Sequence, residues 1–178
     1  MKISDNKVFN EIEFNHFFKL TIHHLSFIGA LIIKRSIWIE RERRQYIGTE
    51  FIHVGVLFQK LIPGNFIVLS KSLIKIRLQN AQWTVRAFEI WAFKWPKLIN
   101  SFEIIPSVYK KKYSLDPSLE RLKLIIEHRA EMTYNYKQFK SFILNDSLPV
   151  VWKCFLFVIS IIPSSLFSLI IKIYQLIK

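Results

Sequence analysis

Cysteine is almost missing from this chain: Cys154 is the only one in 178 residues, and it sits in the apolar run CFLFVISII. That excludes a disulfide framework and any CxxC site, and the run itself holds no histidine or carboxylate to activate the thiol, so a reduced, cytosol-facing setting is the simplest reading. Glycine is scarce as well, with four residues, too few for a loop-rich fold or a glycine-rich phosphate cradle. The patterns GxxxxGK[ST], GxGxxG and HExxH do not occur. Acidic side chains number 13 against 26 lysines and arginines, which gives a formal charge of +13 and a pI near 9.9. Such a balance favours an anionic partner, whether a phospholipid surface, a nucleic acid or a phosphorylated substrate. The opening MKISDNKVFN has no apolar stretch behind it, so no secretory signal is expected there.

What is abundant is apolar and aromatic: 51% and 15% of residues, enough for a real core. FIGALII (27–33), short and ended by Lys34 and Arg35, reads as a buried strand. After the polar ERERRQ, Phe51, Val54, Phe58 and Leu61 recur at helical spacing behind Thr49, a good N-cap, and PGN (63–65) ends that helix with a turn. NFIVLS follows, and in SLIKIRL the apolar Ile74, Ile76 and Leu78 alternate with Lys75 and Arg77, the period-two pattern of a strand in a hairpin or at a sheet edge. WTVRAFEIWAFKW is a second helix, stopped or kinked at Trp95 by Pro96. A long helix opens at Asp116 and Pro117, with Leu119, Leu122, Ile126, Tyr136, Phe139 and Ile143 marking one face.

The tail differs in kind. From Cys154 to Ile171 there is no charge, Lys153 and Lys172 flank the run, and PSS (163–165) breaks it near the middle. An unbroken run of that length would span a bilayer; a split one reads as two short helices lying in its interface, with Trp152 and Tyr174 at headgroup level and Lys153, Lys172 and Lys178 facing anionic lipid.

Few constellations can carry chemistry. His23 and His24 are adjacent, so their side chains diverge, and a packed or solvated pair is the simpler reading. Glu50 and His53 are better placed: with Thr49 as cap they share one face at a helix N-terminus, where free backbone N–H groups favour anions and a carboxylate can serve as general base. The bland reading is a first-turn glutamate beside a packing histidine. Arg77, Asn80, Gln82 and Trp83 can form a clamp and a stacking platform for a sugar or base, or simply a strand end with one buried tryptophan. YKKKY is a single basic tract, weak as a nucleic-acid grip.

Taken in order, SFIGALIIKRSIW, YIGTEFIHVGVLF, IRLQNAQW, FEIWAFKWPKLI and EHRAEMTYNYKQF resemble the C-terminal half of bacterial family-2 glycosyltransferases of the abequosyltransferase-like kind, over about residues 24 to 170. The resemblance implies an α+β chain, a mainly helical remnant of a GT-A fold: a few short strands packed with helices, and a C-terminal apolar hairpin or interfacial helix pair. It implies transfer of a sugar from a nucleotide-sugar donor to a lipid-linked or polysaccharide acceptor at the cytoplasmic face of the inner membrane. By position Glu50 falls where the family places its base and His53 beside it, with Arg77, Asn80 and Trp83 on the acceptor-side rim. The family's divalent metal, magnesium or manganese, is held by an aspartate cluster that has no match here, since residues 1 to 20 carry only Asp5, Glu11 and Glu13. The expectation is therefore a truncated or split enzyme: an ill-defined segment 1–23, an acceptor-side part 24–148 and a membrane-associated tail 149–178, with a separate donor-half polypeptide as partner. The alternative is a non-enzymatic basic protein that docks on membranes and holds another protein. Nucleic-acid binding is not expected, because the tail is apolar and no basic helix is present.

Overall fold

The computed structural model describes residues 3–75, 84–113 and 117–177. In chain order these form β1 (Lys7–Phe9), α1 (Phe14–Thr21), α2 (Arg35–Glu40), α3 (Ile52–Phe58), β2 (Phe66–Val68), α4 (Ala87–Glu89), which runs through a π turn at Ile90–Lys94 into α5 (Trp95–Asn100), then α6 (Ser107–Lys110), α7 (Leu119–Ala130), α8 (Tyr136–Gln138), which enters a π turn at Phe139–Ile143, α9 (Val150–Ile161) and α10 (Ser164–Ile177). The result is an α+β chain, mostly helical, with one small antiparallel sheet. It divides into two compact units: residues 1–80 with 98–113, and 81–97 with 114–178.

The first unit is built on phenylalanine. In α1 the spacing of Phe14, Phe17, Phe18 and Thr21 puts all four on one buried face. Asn10 and Glu13 form a reciprocal capping box at the 3-10 turn that leads in: the Asn10 side chain accepts from the Ile12 and Glu13 amides, and Glu13 Oε2 accepts from the Asn10 amide. Phe58 of α3 meets Phe14 and Phe18 edge-on, at 5.7 and 5.0 Å between ring centres. β1 pairs with β2, Phe9 opposite Phe66. Residues 7–22, expected to be ill-defined, thus supply much of this core. FIGALII is not a strand: Ile28–Ala30 is a 3-10 turn, and Ile32 is 94% exposed. An apolar run becomes a strand only with a pairing edge, and β1 takes β2. Ser72–Lys75 are exposed and outside any strand; the remainder of that expected strand lies outside the described residues.

The second unit gathers Phe88, Ala92, Ile125, Tyr134, Phe139, Ile143, Leu156, Ile159 and Phe167 into one core. Pro96 does not stop its helix. The Trp95 amide bonds the Ile90 carbonyl in a π register, a local widening just ahead of the proline, whose missing N–H and bulky ring a regular α turn would accommodate poorly. The long helix expected from Asp116 to Ile143 is interrupted. Its cap is Ser118, which accepts from the Arg121 amide at 3.1 Å, while Asp116 lies outside the described residues. It ends at Ala130, where Met132 adopts φ +61° and the Thr133 and Tyr134 amides both return to the His128 carbonyl. Asn135 caps the restart, accepting from the Lys137 amide at 2.8 Å. The tail breaks as expected, near Pro163, but α9 and α10 meet at 96°, a corner rather than a hairpin. Both pack their inner faces into this unit's core.

Candidate functional site

The segment before α3 is a tight turn. Thr49 donates twice to the Tyr46 carbonyl, from its amide at 3.1 Å and its hydroxyl at 2.7 Å. Ile47 at φ −61°, ψ 134° and Gly48 at φ +83° give the type II geometry in which the third residue must be left-handed. Glycine meets that requirement without a Cβ penalty. Thr49 Oγ1 then accepts from the Phe51 amide at 3.1 Å, so it caps the turn and not the helix, whose N-cap is Phe51. Glu50 lies between them, exposed, in a left-handed conformation of its own at φ +71°. A non-glycine residue there costs about 1–2 kcal/mol.

This placement corrects the expected pairing. Glu50 precedes α3 and faces solvent, whereas His53 is buried inside the first unit and its Nε2–H donates to the Leu25 carbonyl at 2.7 Å. The two do not share an exposed helix face. Burial holds the His53 imidazole below its ordinary pKa, partly offset by that hydrogen bond, so it is a neutral packing group. α3 lies close against the turn because residue 55 is glycine: a Cβ there would stand 2.3 Å from the Tyr46 ring. Arg77, Asn80 and Trp83, expected on the rim, lie outside the described residues.

A groove of about 720 Å³ borders the turn at Tyr46, lined by residues 39–46, Gln59, Lys60 and residues 101–104. Glu50 is not among them. Its charged lining mixes Glu40, Glu42 and Glu103 with Arg43, Arg44 and Lys60. Glu42 accepts from the Arg44 and Arg43 amides, which holds its carboxyl below the usual range. Arg41, inside the polar stretch ERERRQ, is a structural residue that the sequence reading passed over. It is buried, and its guanidinium donates to the carbonyls of Val56, Leu57 and Leu61 at 2.8, 2.8 and 2.6 Å, closing the C-terminal end of α3. An arginine in a polar stretch ahead of an apolar helix is the only signal, and it is a weak one.

His23 accepts from its own unit: the Tyr113 hydroxyl lies 2.8 Å and Lys112 Nζ 3.3 Å from its Nε2. Burial, then Lys112, then His24 lower its pKa, so the imidazole stays neutral. Lys110 donates to the Phe102 carbonyl at 3.0 Å. Two of the three lysines of YKKKY thus have partners inside the fold. Among the described residues no group of three or more His, Cys, Asp or Glu could hold a metal ion. Of the early acids, Glu11 accepts from the Gly64 amide and Glu13 is spent on the capping box. Among the described residues the donor set does not fit a divalent ion.

No family model, no curated protein and no solved structure matches this chain.

Proposed function

We propose that the chain is the acceptor-side part of a membrane-associated GT-A glycosyltransferase, working with a donor- and metal-binding part supplied from beyond these 178 residues. Glu50 is its general base, taking the proton from the acceptor hydroxyl as that oxygen attacks the sugar. The observation that carries the reading is the backbone at Glu50: φ +71° at an exposed glutamate, at the one position where the resemblance places a base. Strained conformations of this kind persist where the surroundings over-determine them, and they cluster at active sites. Here the type II turn on one side and the buried α3 on the other fix the chain, and Glu50 is exposed. His53 has no chemical role in this reading; it anchors the start of α3 to Leu25.

The test is a chimera in which this chain replaces the C-terminal half of an abequosyltransferase-like enzyme, with sugar transfer to a lipid-linked acceptor as the readout. The expected result is transfer that falls by roughly a hundredfold or more in Glu50→Gln, the scale of a lost general base. A folded chimera with no transfer, or equal rates in the two, would sink the proposal.

The second reading, a non-enzymatic membrane-docking protein, is favoured by one observation: the exposed apolar side chains of α9 and α10, among them Val150, Val151, Phe155, Leu169 and Ile170.

A further inference from the structure

Each tail helix has an inner arc and an outer arc. In α9, Leu156, Ile159 and Ser160 point into the second unit, and Val150, Val151, Cys154, Phe155, Val158 and Ile161 point out. In α10, Phe167 points in, while Leu166, Leu169, Ile170 and Ile173 point out, with Lys172 at the margin. An ordinary surface helix puts charge on its outer arc; α9 and α10 put valine, leucine, isoleucine and phenylalanine there.

The corner between them is built, not incidental. Pro163 ends α9, and Arg129 of α7 takes the Ile162 carbonyl with both Nε (2.9 Å) and Nη2 (2.5 Å), while its Nη1 donates to Tyr134. The Tyr134 hydroxyl in turn donates to the Leu156 carbonyl at 2.9 Å, and Ser168 Oγ donates to the Ala130 carbonyl at 3.2 Å. Straightening the pair into one span would break this set. Among the described residues no single helix is long and apolar enough to cross a membrane.

We propose that the outer arcs of α9 and α10 form a preformed docking surface that lies in the interface of an anionic phospholipid bilayer without spanning it. Charge complementarity selects the occupant. Residues 147–178 contain three lysines and no acid, and Lys137 and Lys140 are exposed on the segment whose Tyr136 and Phe139 contact Phe157 of α9. Apolar arcs seat in the acyl boundary and lysines at their margin meet the headgroups, each worth roughly fivefold in binding. Lys153 contributes only its charge, since its ammonium also closes the Leu144 carbonyl at 2.9 Å. The inference specifies the membrane contact of the proposed function but stands on this helix pair alone, so a failure of sugar transfer leaves it intact.

The test uses the full chain with vesicles of phosphatidylcholine alone or mixed with phosphatidylglycerol. The expected result is co-sedimentation with the anionic vesicles that weakens with added salt, and a loss of roughly tenfold or more in Val151→Glu/Phe155→Glu and in Leu169→Glu/Ile173→Glu. Ile32→Glu, on an exposed apolar side chain of the first unit, keeps wild-type binding. Because Cys154 is exposed on the outer arc and is the only cysteine, an environment-sensitive dye attached there gives a readout that needs no destabilising substitution. Its emission shifts to the blue with anionic vesicles, and lipids brominated near the headgroup quench it better than lipids brominated near the chain ends. Unchanged binding in the glutamate variants, equal binding to neutral vesicles, deep quenching, or a lipid-free dimer that the glutamate variants abolish would overturn the proposal.

Discussion

At Glu50 two properties of one residue are separable. The left-handed backbone is a cost borne by any side chain except glycine, and the carboxylate is the chemistry. Glu50→Gly and Glu50→Gln both remove the carboxylate, but only glycine removes the strain. Glu50→Gly should therefore be the more stable of the two by about 1 kcal/mol in urea denaturation, with both inactive in the chimera. Equal stabilities would mean that the turn does not impose the conformation. His128 yields a second residue-scale prediction. The Thr133 hydroxyl donates to the His128 carbonyl, so His128 Nδ1 must be the donor to Thr133 Oγ1 at 2.8 Å, and the ring is buried and neutral. Burial pushes its pKa down to about 4 from 6.5. The unfolded chain therefore binds a proton that the folded chain refuses as pH falls through 6.5, and stability declines from there to about pH 4. The loss is about 2–3 kcal/mol, and His53, His23 and His24, also lowered, add to it with the same sign. Denaturation midpoints measured across that range check it; His128→Gln should flatten the slope.

At the scale of elements, helix ends decide what the sequence reveals. α3 is legible because Val54 and Phe58 repeat at helical spacing, whereas α1, whose Phe14, Phe17 and Phe18 carry the same spacing, falls in the segment expected to be ill-defined. The tail break is legible because proline is unambiguous. The end of α7 is not: EMTYN holds neither glycine nor proline, and the left-handed residue is methionine, so the helical periodicity runs on to Ile143 in the sequence. Met132→Gly, at an exposed side chain, should raise stability by about 1 kcal/mol in thermal or urea unfolding. Arg41 shows the same limit from the other end of a helix. A basic stretch reads as solvated surface, yet one of its arginines is drawn in by the free carbonyls of a buried helix fifteen residues later. Arg41→Met leaves those carbonyls buried with no donor and should cost about 3 kcal/mol. Arg41→Lys should recover only part of that, since an ammonium cannot reproduce the fork. Of the candidate site, GTE marked Glu50 as the residue to watch but read as a helix start; the type II turn ahead of α3 was not visible, and neither was the burial of His53, because its partner Leu25 lies 28 residues away and is met only in the fold.

At the scale of the whole molecule the dominant fact is a charge of +13, and it acts on folding and on docking with opposite dependence on salt. Self-repulsion among 26 cations against 13 anions opposes compaction, and the ion pairs among the described residues include Arg86 and Lys94 on Glu89, Arg121 on Asp146, and the longer Lys123 to Glu127 contact at 4.0 Å. Salt screens net repulsion over distances of about 10 Å at 0.1 M. It costs these pairs less than it relieves, since the partly buried ones are screened less and the exposed Lys123–Glu127 contact contributes little to begin with. Raising sodium chloride from roughly 20 to 200 mM should therefore raise the unfolding temperature by a few degrees, on the order of 1 kcal/mol, while it weakens attachment to anionic vesicles over the same range. The two measurements together separate electrostatic docking from salt-induced unfolding: a chain that left the vesicles because it unfolded would show a falling midpoint. A midpoint unchanged or lowered by salt would mean that the cations are already neutralised within the fold, and the basic surface would then have no charge to spare for lipid.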